Sequence, residues 1–499
     1  MKKLRIILAV IFWLSITFLF LDFTGALHGW LGWMAKIQFL PAVLALNVGV
    51  IVVLVLLTLL FGRVYCSVIC PLGVFQDGIA RIHVNAKRRH KNHKPYHYKK
   101  EIKWLRYGIW VLFVLAIIVG LNSAVALLAP YSAWGRIVQN LFQPVYIWVN
   151  NLLAAIAERA DSYAFYGKEV WMRSLPTFLV AVVTLIVVVV LAWRGGRDYC
   201  NSICPVGTTL SFFSRFAMFR PVIDSEKCKN CKICEHNCKA SCINIAEHKI
   251  DYSRCVDCFN CIDNCKFGAL KYRFAWSAGR SEAGKESPLV DNKADKGRRA
   301  FMTGAALAVG TAAVKAQEQK MDGGLAEILD KQKPERETHI TPPGSISEKN
   351  MYSHCTACQL CVAECPNNVL RPSSSLEHFM QPESSYERGY CRPECTRCSE
   401  VCPAGAIRKI TKEEKTAVKI GTARFIRELC IAEEGISCGN CSRHCPTGAI
   451  IMVKIEDRGV TIPTIESERC IGCGACEYLC PARPFSAVYV EGLKEHRNI

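Results

Sequence analysis

No Cys-x-x-Cys-His occurs anywhere in the 499 residues, which excludes covalently attached haem. The apolar runs are also nearly free of histidine. His28, near the outer end of the first run, stands alone there, so a pair of ligands for a membrane haem is missing. No hydrolytic or group-transfer constellation is visible, and no recognition motif accompanies the net charge of +19, which argues against nucleic acid as a partner. Acids are scarce where bases are dense: from residue 63 to 103, ten Lys/Arg stand against Asp77 and Glu101 alone. That stretch lies between two apolar runs, as expected of a cytoplasmic loop under the positive-inside rule. Scattered cysteines are absent too. The 29 cysteines are bunched at short repeated spacings, which speaks against a disulfide scaffold and for metal or cluster ligation.

What is present in quantity is apolar sequence, 51% of the chain, too much for a purely soluble protein of this length. Four runs, at about 6–27, 39–61, 104–129 and 176–193, approach or exceed the roughly 20 residues needed to cross a bilayer. The first has no convincing small-residue cleavage site after it and reads as a retained helix. Lys2, Lys3 and Arg5, with the basic loop after the second run, put the N-terminus in the cytoplasm. The expected outer loop, 130–175, contains an aromatic amphipathic stretch including Trp134, which reads as a belt of interfacial anchors.

Residues 62–73 read GRVYCSVICPLG and residues 196–207 read GRDYCNSICPVG, each directly after an apolar run. Cysteines four apart share a face if the segment is helical. Cys66, Cys70, Cys200 and Cys204 are therefore a candidate extra metal site beneath a helix bundle, with a redox-active thiol set and a packing role as alternatives. Stable disulfides are not expected in a reducing cytoplasm.

Further on, Cys228, Cys231, Cys234 and Cys238, then Cys255, Cys258, Cys261 and Cys265, follow the doubled C-x2-C-x2-C-x3-C spacing of bacterial ferredoxins. In that pattern three thiolates of one run and the last of the other hold each [4Fe-4S] cluster, giving Cys228, Cys231, Cys234 and Cys265 for one and Cys255, Cys258, Cys261 and Cys238 for the other. Lys239 and Lys266 stand where proline usually follows. Cys242 falls outside every run and reads as an inert buried thiol.

Residues 276–296 are a polar linker, and 297–317 carry Arg298, Arg299 and a weakly apolar Ala/Gly stretch like an internal twin-arginine export signal or a fifth membrane helix. Four more runs follow in 345–499: Cys355, Cys358, Cys361 and Cys365; Cys391, Cys395, Cys398 and Cys402; Cys430, Cys438, Cys441 and Cys445; Cys470, Cys473, Cys476 and Cys480. All four end in Cys-Pro, and two have loosened first gaps. Which run lends its last cysteine to which is open, since adjacent and nested pairings both fit.

The fold class expected is an α-helical four-span membrane bundle (1–215) with α+β ferredoxin-like iron-sulfur domains on both sides, 220–275 in the cytoplasm and 345–499 in the periplasm. By these motifs, residues 1 to about 275 resemble the membrane component of NapH-type quinol dehydrogenases, and 297–499 resemble NapG- or MauM-type exported ferredoxins. The resemblance implies a bacterial inner-membrane protein with six [4Fe-4S] clusters, two cytoplasmic and four periplasmic. It also implies that the protein takes electrons from menaquinol or ubiquinol and passes them to a periplasmic cytochrome or reductase. A hydrocarbon core about 30 Å thick separates the two cluster sets, so bound quinone or a quinol-oxidising partner subunit has to bridge it, or each set serves its own partner. For the quinol site, Asp22, His28 and Arg136 are the candidates, Asp22 because an intramembrane carboxylate is costly. Two other resemblances compete: a CcoG-like copper-reducing assembly factor, which has no exported four-cluster domain, and a NosR-like electron donor, whose flavin domain is lacking.

Overall fold

The computed structural model describes residues 1–22, 24–87, 96–162, 165–274, 329–454 and 459–499. The linker and the twin-arginine segment lie outside the described residues.

Helix α1 (Lys2–Leu21) has a basic first turn and an apolar run from Ile6 onward, and stops where Asp22 turns extended. Helix α2 (Val48–Phe61) starts at Asn47, whose side chain accepts the Val50 amide, and ends at Gly62 with φ 75. Helices α3 (Pro71–Lys87), α4 (Lys103–Val119), α5 (Pro130–Ile137), α6 (Gln143–Arg159), α7 (Leu175–Gly195) and α8 (Pro205–Ser214) complete the helical part. Two of these, α1 and α7, are long and apolar enough to cross a membrane, rather than the four expected. The run at 39–61 is cut by the cap at Asn47 into Phe39–Leu44 and the 14-residue α2, about 21 Å long. The run at 104–129 is cut by Gly120, left-handed at φ 85, into α4 and Asn122–Leu128.

Large apolar side chains remain exposed on five of the helices, among them Ile7 and Phe18 of α1, Val53 of α2, Leu112 of α4, Trp148 of α6 and Val183 of α7. A water-soluble surface rarely carries so much contiguous apolar area. The stretch expected to lie outside instead enters the core. In α5, Trp134 is fully buried, with its ring 5.5 Å from Trp13 and 5.0 Å from Phe75. It is a packing residue between α1 and α3, not an interfacial anchor, because Pro130 starts a helix that runs inward.

The cysteine-rich segments fold as small α+β units. Strand Phe219–Ile223 pairs antiparallel with Leu270–Phe274 around the 228–265 runs. Val418–Phe425 pairs with Val488–Asn498, and Ile450–Lys454 with Thr461–Ile465, in the C-terminal part. One hydrophobic core runs unbroken from Cys234 and Cys261 through Tyr65, Cys200, Tyr131 and Trp134 to Cys358 and Cys361. A second, smaller core holds Cys441, Cys470 and Cys476.

Candidate metal centres

Among the described residues, no three of His, Cys, Asp or Glu are arranged to hold a single metal ion. The thiols are gathered in fours around larger spaces. Cys228, Cys231, Cys234 and Cys265 line one pocket, and Cys238, Cys255, Cys258 and Cys261 a second. Cys430, Cys438, Cys441 and Cys480 line a third, and Cys445, Cys470, Cys473 and Cys476 a fourth. The third and fourth C-terminal runs thus exchange their last cysteines. The first and second do the same: Cys402 lies within electrostatic reach of Cys355, Cys358 and Cys361, and Cys365 of Cys391 and Cys398. Of the two pairings left open by spacing, the structure has the adjacent one.

Backbone shape shows why these loops suit a cluster. In four of the runs the residues two and four after the first cysteine are left-handed: Asn230 and Lys232, Asp257 and Phe259, Ala357 and Gln359, Gly472 and Gly474. Alternating hands turn successive amide N–H groups inward and make an anion-binding nest, a feature of many iron-sulfur sites. The loosened run beginning at Cys430 takes up its extra residues in a short 3-10 turn, Ile431–Glu434, so Cys430 still reaches the common cavity. Burial pushes the Cys234 and Cys473 thiols up to about 12. Such groups are thiolates at neutral pH only against a bound cationic centre. Donor set, backbone shape and electrostatics therefore fit a [4Fe-4S] core at these sites.

Cys242 is closer to the chemistry than its isolation in sequence implied. Its Sγ is 3.5 Å from that of Cys238 and it lines the same cavity. The hydrogen bond from Cys242 holds the Cys238 thiol down to about 7.

The two GRxYCxxICPxG copies meet as near mirror partners. Cys70 and Cys204 have nearly the same extended backbone (ψ 115 and 116), and Pro71 and Pro205 begin the helices that follow. Arg63 of the first copy donates to the Cys200 carbonyl at 3.2 Å, and Arg197 of the second to the Cys66 carbonyl at 2.8 Å. The same guanidinium groups lie 3.8 Å from Cys66 Sγ and 3.7 Å from Cys200 Sγ. Gln76 donates to Cys200 Sγ at 3.3 Å and the Gly207 amide to Cys204 Sγ at 3.4 Å. Gly73 and Gly207 are required here, because a Cβ on either would stand 2.3 or 2.5 Å from a cysteine carbonyl. Asp77 joins Arg197, Arg5 and Lys239 in one buried cluster. Arg63 is fully buried, and its side chain donates to Asn201, to the Ser253 and Cys200 carbonyls and to Cys66 Sγ; among the described residues it forms no ion pair with a carboxylate. The groups within electrostatic reach of this buried cation are the Asp257 carboxyl and the thiols of Cys66, Cys200 and Cys204, any of which can supply the negative charge it needs.

The helical part that holds the quartet contacts the modules on either side. Towards the 228–265 module, the Arg63 amide donates to Asp257 at 3.0 Å and the Arg197 amide to the Lys239 carbonyl at 2.9 Å. Towards the C-terminal part, Asn122 donates to the Tyr352 and Ser353 carbonyls, and Gly135 lies where a Cβ would be 2.4 Å from the Cys358 carbonyl. Tyr131 fills the space between, within electrostatic reach of Cys358, Cys402 and Tyr65. Gly135→Ala is therefore expected to loosen this junction by about 1–3 kcal/mol through overpacking. Faster proteolytic release of the C-terminal part from the purified full chain would register it.

Of the quinol candidates read from the sequence, the structure places His28 near Asp22 and engages Arg136 elsewhere. Asp22 is occupied as a turn cap, with its Oδ1 accepting from Thr24 and Gly25 and its Oδ2 from the Leu27 amide. Arg136 is fully buried and donates to the Ala126 and Leu127 carbonyls, closing the end of the preceding helix. His28 stands near Asp22 at the face of the C-terminal part, beside Glu400.

Comparison with known proteins agrees on the chemistry. A 4Fe-4S binding domain model matches residues 43–90 and 177–222, which are the two copies that carry the quartet, and a 4Fe-4S dicluster domain model matches 434–483. The chain is 33% identical over 154 residues to the methylamine utilization ferredoxin-type protein MauM of Methylobacillus flagellatus, covering 29% of this chain and 64% of that protein. It is 32% identical over 198 residues to MauM of Paracoccus denitrificans, covering 37% and 82%. Ferredoxin-type protein NapF of Escherichia coli K12 is 28% identical over 172 residues, covering 34% and 98%. The chain thus spans less than two thirds of the Methylobacillus relative's length. No solved structure matches.

Proposed function

Since the chain belongs to the MauM family of ferredoxin-type iron-sulfur proteins, we propose that it is a membrane-embedded relay that oxidises menaquinol or ubiquinol and delivers electrons to a periplasmic cytochrome or reductase. Its character as an iron-sulfur electron-transfer protein follows from the 4Fe-4S domains and these relatives. The observation that carries the fuller reading is the single core that runs from Cys234 of the 228–265 module to Cys402 of the C-terminal part.

In this reading α1 and α7 cross the bilayer as single helices, and Phe39–Leu44 with α2, and α4 with Asn122–Leu128, cross it as two broken spans, with the basic N-terminus in the cytoplasm. The 20 residues of α1 measure about 30 Å, one hydrocarbon thickness. Lys2 pairs with Asp263 of the 228–265 module at one end, and Gly25, just past the other end, faces Arg397 and Glu364 of the C-terminal part. Arg5 donates to the Ser67 carbonyl, which sets the Cys66, Cys70, Cys200 and Cys204 quartet between the two. The six ferredoxin quartets hold one [4Fe-4S] cluster each, supplying one-electron transfer. The CxxxCP quartet holds a seventh iron-sulfur centre, whose thiolates provide the negative charge facing Arg63. Each quinol oxidised to quinone releases two electrons into this chain of centres and two protons to water. The gap that looked unbridged in the sequence is divided by this quartet and by Tyr65, Tyr199 and Tyr131.

An anaerobic iron and sulfide determination with EPR tests the inventory. Six cubanes give about 24 iron atoms per chain and a seventh about 28. With seven centres, two empty loosened runs would leave about 20, and a value of about 20 or below would overturn the reading.

A further inference from the structure

A cleft with about 1170 Å³ of open space lies between α1, α3 and the 228–265 module. Its apolar wall is Ile6 and Val10 of α1 with Val74 and Val84 of α3. Its polar end is built from residues adjoining cluster ligands: Asn237 and Lys239 flank Cys238, Asn260 precedes Cys261, and Asn264 precedes Cys265. Tyr96 also lines the cleft; it is 4% exposed and its hydroxyl has no hydrogen-bond partner. Asp77 closes the inner side and receives the Arg197 guanidinium, which in turn reaches Cys200 Sγ.

We propose that this cleft binds the ring of a membrane quinol, with Tyr96 and the amide side chains of Asn260 and Asn264 facing its oxygens. The proposal rests on the relay reading above and gives it an entry point. A quinone is a polar ring on an apolar tail, and the cleft grades in the same direction, from Asn264 and Lys2 to Val10 and Val74. A buried hydroxyl left without a partner carries the cost of desolvation until a ligand oxygen meets it. The alternative occupant, an anionic lipid headgroup, would find Arg81 alone among the described lining cations without an ion pair, because Lys2, Arg5 and Lys239 are already paired with Asp263 and Asp77. A lipid would also have no use for walls made of cluster-ligand loops. Oxidation there balances as quinol to quinone, with one electron to each of two oxidised [4Fe-4S] centres and two protons to water at the cytoplasmic mouth.

Gly78 gives a clean test. It lines the cleft, and a Cβ added there meets nothing within 4 Å, so Gly78→Leu fills space without displacing backbone and suits the helix better than glycine. The probe is heptyl hydroxyquinoline N-oxide, titrated by fluorescence quenching into the purified full chain in phosphatidylcholine nanodiscs. The wild type is expected to bind it, Gly78→Leu to raise the Kd at least about tenfold, and Tyr96→Phe about fivefold, the worth of one neutral hydrogen bond. Iron and sulfide content should stay at the wild-type value in both variants. No quenching in the wild type, or equal Kd values in all three proteins, would overturn the site. So would a co-purifying anionic phospholipid that Gly78→Leu releases while inhibitor binding stays unchanged. Menaquinol reduction of the wild-type clusters, measured on the same preparations, separates the two claims: its absence would sink the relay reading, whereas its presence with unaltered inhibitor binding would sink the site alone.

Discussion

Replacing Cys66 and Cys200 together by serine is expected to leave the inner module reducible by menaquinol while the four C-terminal clusters stay oxidised. The two residues come from opposite copies and receive the two buried guanidinium groups at 3.8 and 3.7 Å. Serine keeps the size of the side chain and removes the soft thiolate, so a cluster held by four thiols loses half its ligands. Iron content should fall by about four per chain, from about 28 to about 24. Spectra of the ferredoxin-type clusters should persist, since none of their ligands is touched. An unchanged iron count with full reduction of every cluster would return the quartet to a packing role. Arg63→Met sharpens the assignment: if thiolate charge is what faces Arg63, this variant should lose the same centre, and Arg63→Lys should retain part of it because a cation remains.

The second large effect is on stability. Arg336 and Glu477 form an ion pair in which each side chain is 2% exposed. Arg336 also donates to the Val490 carbonyl at 2.7 Å, and Glu477 accepts the Val490 amide at 2.8 Å. The pair therefore ties the entering segment, the final strand and the helix Ala475–Leu479, which carries Cys476, into one unit. Burial pushes the Glu477 carboxyl above its ordinary value despite Arg336, so the ionised pair is not a large net stabiliser. Removing one partner is different, because the other is left charged and dry. Arg336→Met alone is expected to cost about 3–5 kcal/mol, and Arg336→Met with Glu477→Leu substantially less than the sum of the two singles. Urea unfolding of the full chain, followed by loss of cluster absorbance, measures both. Additive losses would show that the pair does not act as a unit.

The ferredoxin ligands were legible in the sequence because their spacing is local: a loop of two residues between thiols allows few arrangements. The exchange of last cysteines between adjacent C-terminal runs was not legible, since it depends on which helices pack together, Leu360–Ala363 on Arg397–Val401 and Asn440–Arg443 on Ala475–Leu479. Repetition of twelve residues suggested that four thiols converge, but the crossed arginine contacts that join the copies are tertiary. Trp134 misled because an aromatic amphipathic segment reads alike at an interface and in a core. The readable sign was Gly135 beside it, a helical glycine at a place of close approach. Asn47 and Gly120, which cut two apolar runs, were ordinary cap residues overlooked inside strong hydropathy. The cleft draws on five separated segments and could not be assembled from the sequence. Asp77 still carried a signal, as one of two acids among ten bases.

Electrons are expected to pass through this one chain from quinol to the far side of the membrane. The protein is placed in sealed vesicles containing menaquinol, with ferricyanide confined to the compartment that faces the Cys430 to Cys480 module. Ferricyanide reduction is expected well above that of protein-free vesicles, abolished by the Cys66→Ser, Cys200→Ser variant. Reduction of the inner clusters by menaquinol with no ferricyanide reduction above the protein-free rate would contradict it.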